Sequence, residues 1–319
     1  MSGRNPMLQP RSAFRSRDKV RSLTEEDLGL APERVSDDDI SDLSDGTGFP
    51  EDDIDQWVRS ISRKKQAIFY GPPGTGKTYM AERVADLLID GGDGIVEILQ
   101  LHSSYSYEDF IQGIRPVSNS DDELRYPVVQ GRFLDFCEKA RDRNGPCVLI
   151  LDEINRTDLS AVFGELMHLV EYREKSMKLA QKDVENDDAG DEEFSIPDNV
   201  YILGTMNTAD RSIALVDFAL RRRFAFLPLW PEMAVLRNYH EDTGHDVDGL
   251  IEVVNEINDA IGDRNFHLGI TYFLDEDLDE TIEDIWKLEV KPYLDEYFFD
   301  SPEIAEQFAW DAVESRVKP

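Results

Sequence analysis

The stretch GPPGTGKT, Gly71 to Thr78, constrains the fold of this chain more than any other feature. It fits the phosphate-loop pattern GxxxxGK followed by Ser or Thr. It also sits where that pattern has physical meaning, between the apolar run QAIFYG and the helical run KTYMAERVADLLIDG. Glycines let backbone N–H groups curl around phosphate oxygens. The helix that follows adds the positive end of its dipole. Lys77 is expected to reach the β- and γ-phosphates, and the Thr78 hydroxyl to coordinate Mg²⁺. A plain flexible Gly/Pro turn would not require a strand before it and a helix after it. The expected nucleotide-binding set is therefore Gly71, Pro72, Pro73, Gly74, Thr75, Gly76, Lys77 and Thr78, with Tyr79 beside it.

The segments around this loop alternate. GIVEILQLH, PCVLILDE and VYILGTMN read as strands, and GRFLDFCEKARDR, DLSAVFGELMHLVEYR and SIALVDFALRRR as helices. Strands that are apolar without interruption, separated by helices, indicate a parallel sheet covered on both faces. The strand VLILDEIN ends in two carboxylates. Asp152 is expected to hold Mg²⁺ and Glu153 to polarise an attacking water. An acidic pair at a strand end is common by chance. This one follows the phosphate loop at about the distance one sheet requires. The strand VYILGTMN ends at Asn207, expected beside Glu153 as a water-orienting side chain, although an Asn at a strand end also serves as a turn former.

Beyond Trp230 the pattern is helical, in PEMAVLRNYHED, VDGLIEVVNEINDAIG, DLDETIEDIWKLEVKPYLDEYFF and SPEIAEQFAWDAVESRV. The chain of 319 residues thus divides into a mostly disordered arm and acidic linker at 1–50, an α/β nucleotide-binding core at 51–230, and a small helical domain at 231–319. The first twenty or so residues are polar and basic, without the apolar core of a secretory signal. No apolar run approaches the ~20 residues that span a bilayer, so no membrane partner is expected and the location is expected to be cytoplasmic. Cys137 and Cys147 are the two cysteines, with no CxxC pattern, and read as small core residues. Asp and Glu number 67 against 34 Lys and Arg, a net charge of −33. The acidity is spread along the chain, as in a salt-adapted, halophilic proteome, where salt screens the self-repulsion. It disfavours a broad DNA-binding face on this chain alone.

Against that acidity, Arg221, Arg222 and Arg223 stand in a row behind an apolar helix. Cations suit a helix C-terminus for dipole reasons alone. A sharper reading comes from resemblance. The order of phosphate loop, DE strand, polar strand end, arginine-bearing helix and helical lid resembles the AAA+ P-loop NTPases. HSSYSYEDFIQGIRP, LDEINRTDLSAVFGELMHLVE and GTMNTADRSIALVDFALRRRF resemble one branch of them, the McrB-type motors of the dynein-related subfamily. FHLGITYFL resembles an element of that family's lid, with Ile270 where the pattern has His.

The resemblance implies an AAA+ fold, a parallel sheet flanked by helices followed by a helical lid. It implies hydrolysis of ATP or GTP with Mg²⁺, bound by Thr78 and Asp152. It implies a homo-oligomer, usually a hexameric ring, with Glu153, Asn207, Asp210 and Arg211 at the catalytic interface. Arg222 and Arg223 are then expected to face the next subunit's γ-phosphate. Partners implied are a separate McrC-like nuclease subunit and DNA engaged through the complex. The alternative is a MoxR-like chaperone using ATP to remodel a protein complex.

Overall fold

The computed structural model of the chain describes residues 35–118, 124–180, 193–210 and 218–318. The first 34 residues of the expected arm and Arg211 lie outside the described residues. The strands, in chain order, are β1 (Gln66–Gly71), β2 (Val96–Gln100), β3 (Gln112–Ile114), β4 (Val117–Ser118), β5 (Leu124–Arg125), β6 (Val128–Gln130), β7 (Cys147–Asp152), β8 (Val200–Asn207) and β9 (Ala225–Pro228). Five of them form one sheet in the order β2-β7-β8-β1-β9, with every pair parallel. Two short antiparallel ribbons pair β3 with β6 and β4 with β5.

Residues 35–50 depart from expectation. They were expected within a disordered arm, yet they hold α1 (Asp37–Thr47). Ser36 caps it through a capping box with Asp39, and three aspartates in its first turn complement the helix dipole. The apolar content is low, but Ile40 and Phe49 are both buried. Phe49 meets Trp57 edge-on at 5.7 Å, and Trp57 meets Phe69 of β1 at 5.5 Å. Trp57 lies on α2 (Glu51–Lys64), whose Ile54, Trp57, Val58 and Ile61 form a buried stripe at helical spacing. A sparse pattern is enough because both apolar side chains join the core built by α2, α3 and β1.

The inner strands β1, β7 and β8 are largely apolar because they feed two cores. Ala67 and Phe69 of β1 face one core with α2 and α3 (Lys77–Ile89); Ile68 faces the other. Val148 and Ile150 of β7 join the first core, Leu149 and Leu151 the second, as the two-residue strand period requires. The second core is closed by α4 (Tyr107–Phe110), α5 (Arg132–Arg141), α6 (Leu159–Phe163), α7 (Leu166–Glu171) and α8 (Phe218–Arg223). Within it Phe110 stacks on Phe133 at 5.1 Å and meets Phe163 at 4.8 Å. The HSSYSYEDF segment is thus anchored by Phe110, and by Tyr107, whose hydroxyl donates to Glu165 at 2.8 Å.

The C-terminal helices are α9 (Met233–Thr243), α10 (Asp248–Ile261), α11 (Leu278–Ile285), α12 (Lys291–Tyr297), α13 (Pro302–Glu306) and α14 (Trp310–Val317), with a core of their own. Two expected long helices are interrupted. A π-helical stretch, Trp286–Val290, separates α11 from α12, and an extended Ala309 separates α13 from α14. Trp286 is fully buried, and its indole N–H donates to the Phe308 carbonyl at 2.8 Å. A carbonyl at a helix break is free to accept where one inside a continuous helix is already engaged.

Phe49→Ala should lower stability by about 3 kcal/mol, the cost of emptying a buried aromatic site. Urea unfolding of the full chain in high salt measures this. A midpoint within error of the parent would mean that residues 35–50 do not pack as described.

Candidate functional site

The carboxyl edge of the sheet gathers the residues singled out in the sequence. β1 ends at Gly71, and the loop runs from Pro72 to Gly76, where α3 begins. Gly74 and Gly76 adopt φ of 73° and 81°, the left-handed region that favours glycine. Lys77 folds back over the loop, its ammonium donating to the Pro72 carbonyl at 2.6 Å. Burial lowers its pKa to about 8, opposed by the carboxylates of Glu153, Asp152 and Asp210. These three carboxylates are therefore close enough to Lys77 to influence its charge.

β7 and β8 bring the next residues. The Asp152 carboxylate Oδ1 accepts two hydroxyls, Thr78 Oγ1 at 2.7 Å and Thr205 Oγ1 at 2.6 Å. One hydroxyl comes from the phosphate-loop helix and the other from the neighbouring strand. Thr205 also accepts the Glu153 backbone N–H at 3.1 Å. Glu153 sits at φ 54°, ψ 48°, left-handed for a residue with a Cβ. Such a conformation costs on the order of 1–2 kcal/mol, and the Thr205 bond helps to hold it. Thr205 was not singled out in the sequence. The available signal was a hydroxyl in an otherwise apolar strand, two residues before Asn207 and hence on the same face.

Asn207 pairs in register with Gly71, so it lies at the end of the strand between β1 and β7. Its Oδ1 accepts the Ala209 N–H at 3.2 Å, an Asx turn. Its carbonyl accepts Asn155 Nδ2 at 3.0 Å. Asn155 is buried, and among the described residues its Oδ1 has no hydrogen-bond partner. Arg156 lies between two carboxylates, with Nε 3.4 Å from Glu153 and Nη2 3.8 Å from Asp210. The second distance is an ion pair and not a hydrogen bond, which leaves the buried Asp210 Oδ2 without a hydrogen-bond partner among the described residues. Asn155 and Arg156 were also missed, although both stand in the quoted DEINR run.

Arg222 and Arg223 are elsewhere. Gln66, at the start of β1, donates to the Arg223 carbonyl at 3.1 Å. Gly71 ends the same six-residue strand. At ~3.3 Å per residue the two edges are roughly 17 Å apart, beyond the reach of an arginine side chain. Arg222 donates to Glu171 at 2.6 Å, and Arg223 Nε lies 3.4 Å from the same carboxylate. That carboxylate's pKa is held down, first by the Arg222 hydrogen bond. Arg221 lies over the Phe226 ring at 5.2 Å.

The lid touches the phosphate loop directly. The Thr271 N–H donates to the Gly74 carbonyl at 3.0 Å, and Thr208 donates to the Asn265 carbonyl at 2.9 Å. A Cβ on Gly269 would stand 2.1 Å from the Gly74 oxygen, so only glycine permits this approach. Ile270, where a His was expected from the lid pattern, is buried. A cleft of about 840 Å³ opens beside the loop. Its walls are the end of α1 with the two residues after it (45–49), Thr75, Gly76 and Tyr79, then Val235, Asn238, Tyr239 and Thr243 of α9, then Ile270, Thr271, Leu274, Glu276 and Asp277. Half-exposed Tyr79 is therefore a wall of this cleft.

Thr78 and Asp152 together offer a hydroxyl and a carboxylate oxygen from adjacent elements, the hard donor set that suits Mg²⁺. The set is small, as expected where phosphate oxygens complete the shell. Loop amides, a half-buried ammonium and an acidic strand end form an arrangement able to bind a polyphosphate and act on its terminal bond.

Known proteins resemble this chain over most of its length. Residues 66–224 match the family model described as AAA domain (dynein-related subfamily). Residues 249–306 match that of the McrB alpha-helical lid domain. The Type IV methyl-directed restriction enzyme EcoKMcrB subunit of Escherichia coli K12 is 38% identical over 284 residues, 82% of this chain and 60% of that protein. The Type II restriction enzyme BsuMI component YdiS of Bacillus subtilis 168 is 29% identical over 204 residues, 53% of this chain and 57% of that protein. The chain therefore spans about 60% of the length of the curated relatives it matches. A solved structure from Cytophaga hutchinsonii aligns at 14% identity with a TM-score of 0.39, covering 88% of this chain and 87% of that one, a likeness too weak to bear on function. Among the described residues no helix is long and apolar enough to cross a membrane.

Thr205→Val should lower stability by about 1–2 kcal/mol, because the Glu153 N–H and the Asp152 carboxylate each lose a partner. Thr205→Ser should restore most of it. Equal unfolding midpoints for the parent and the valine variant would remove Thr205 from the network.

Proposed function

The chain belongs to the dynein-related subfamily of AAA domains and carries a McrB-type lid, and from that premise we propose that it is the ring-forming motor subunit of a McrBC-like restriction complex. It binds ATP or GTP with Mg²⁺, hydrolyses it between subunits, and drives a separate nuclease chain on DNA. The observation that carries the reading is the junction at Asp152, which joins the phosphate-loop helix to the strand that leads into Glu153 and the strand that ends at Asn207. Both relatives named above are restriction-system components, which favours this reading over the MoxR-like chaperone.

In this reading the loop amides and Lys77 take the phosphates, Tyr79 and the cleft beside the lid take the nucleoside, and Thr78 and Asp152 hold the ion. Bound Mg²⁺ supplies neutralisation of developing phosphate charge. Glu153 accepts a proton from the attacking water, and Asn207 and Asp210 shape the space around it. Arg211 belongs to the same expected interface and lies outside the described residues. Arg222 and Arg223 are at the wrong edge of the sheet to serve their own phosphate loop, which supports action on a neighbour's nucleotide. An arginine supplied in that way can contribute about 10³–10⁵ in turnover. Engaging a neighbour's phosphate would require Arg222 to leave Glu171.

Lys77→Ala should abolish nucleotide binding in a fluorescent-nucleotide titration, and unchanged affinity would exclude the loop as the phosphate site. Glu153→Gln should bind normally yet stop turnover, because an amide cannot take a proton; undiminished turnover would remove Glu153 from the chemistry.

The trans role has its own test. Arg222→Ala or Arg223→Ala should be inactive alone and regain turnover when mixed with Glu153→Gln, because some mixed interfaces are intact in both halves. Variants that turn over normally alone, or show no rescue at any mixing ratio, would return the arginines to an ordinary helix end.

A further inference from the structure

His240 is a buried titratable group for which the reading above has no use. It lies on α9, is 1% exposed, and stands between Tyr239 and Thr243 of the cleft wall. Its ring bonds at both nitrogens. Nε2 is 2.8 Å from the Phe273 carbonyl, and Nδ1 is 2.9 Å from the Thr243 hydroxyl. A carbonyl only accepts, so Nε2 carries the hydrogen and Nδ1 accepts from Thr243. Burial first, and then the nearby His245, lower the imidazole pKa; the Phe273 carbonyl and Asp275 oppose them. The Tyr239 and His245 rings pack on it at 4.9 and 5.4 Å. Among the described residues these are the polar and titratable groups that meet the ring.

The Phe273 carbonyl belongs to the second lid wall of the cleft. Ile270, Thr271 and Leu274 line the cleft there, and Thr271 donates to Gly74 of the phosphate loop. His245 ties the same wall further on, through the Glu276 carbonyl at 3.0 Å. His240 thus joins the helical wall to the loop wall, and the loop wall rests on the phosphate loop.

We propose that His240 is a positioning residue of the nucleotide site, fixing the two lid walls of the cleft at the spacing that grips the nucleoside. The proposal rests on the reading of the cleft as the nucleoside site. It separates two parts of the ligand. The triphosphate is held by the loop and Lys77, which His240 does not touch. The nucleoside is held by walls whose spacing His240 sets.

The test is fluorescent GTP and ATP titration of the full chain in high salt, with inorganic tripolyphosphate as competitor, alongside steady-state turnover. His240→Leu should weaken nucleotide binding about tenfold and raise KM in step, the size of one lost buried hydrogen bond. Its kcat and its tripolyphosphate affinity should stay within about twofold of the parent. His240→Gln should recover most of the loss, because its amide N–H reaches the place of Nε2. His240→Asn, with the same amide on a shorter stem, should not. This pair decides the matter even where the leucine variant fails to fold.

Gln and Asn variants of equal affinity would overturn the proposal. So would a leucine variant that binds as tightly as the parent, or one that loses tripolyphosphate in parallel. A parent chain that binds tripolyphosphate as tightly as nucleotide would overturn the nucleoside reading of the cleft itself, a result distinct from any difference between variants.

Discussion

One carboxylate oxygen organises the carboxyl edge of this sheet. Asp152 Oδ1 accepts from Thr78 at the start of α3 and from Thr205 on β8, so it joins the phosphate-loop helix to two neighbouring strands. Hydrogen bonds to an ionised acceptor are roughly twice as strong as neutral ones. Thr205 extends the junction by accepting the Glu153 N–H, which helps to stabilise a left-handed backbone at a residue that would not choose it. Glu153 is therefore aimed by a strained turn and not by a free rotamer search. Displacing Thr205 would disturb two carboxylates with different proposed duties.

The lid completes the site through backbone proximity. Gly269 approaches the Gly74 backbone so closely that a Cβ on Gly269 would stand 2.1 Å from the Gly74 oxygen. The Thr271 N–H then secures the contact. The end of α1 with the two residues after it (45–49) closes the remaining side of the cleft, and Gly48, at φ 75°, presses against Val235 of α9. Residues that precede the core in sequence are thereby part of the cleft that the core and lid share.

Much of this architecture was legible in the sequence because it rests on local rules. The apolar strands, the GxxxxGK loop and the DE strand end follow from strand period, glycine geometry and charge placement. The misses have one cause. α1 carries too few apolar residues to declare itself, and only the aromatic surface of Trp57 and Phe69 explains its order. The break at Ala309 leaves the Phe308 carbonyl to accept from the buried Trp286 indole, a contact across the lid core between residues more than 20 positions apart. Asn207 reads in sequence as a water-orienting side chain or a turn former. In the described chain it makes an Asx turn at the edge of the site.

The sequence by itself determined that a phosphate-binding loop joins a buried strand to a helix, and that an acidic pair ends a second strand, because these depend on residues adjacent in the chain. Only the tertiary structure decided that Thr205 stands between Asp152 and Glu153. It alone decided that Gly269 lies on Gly74, and that Arg222 and Arg223 share Glu171 at the opposite edge from their own loop. Those relations are set by strand order and by crossover between distant segments. Strand order minimises exposed apolar area over the whole molecule, and no window of neighbouring residues contains that information.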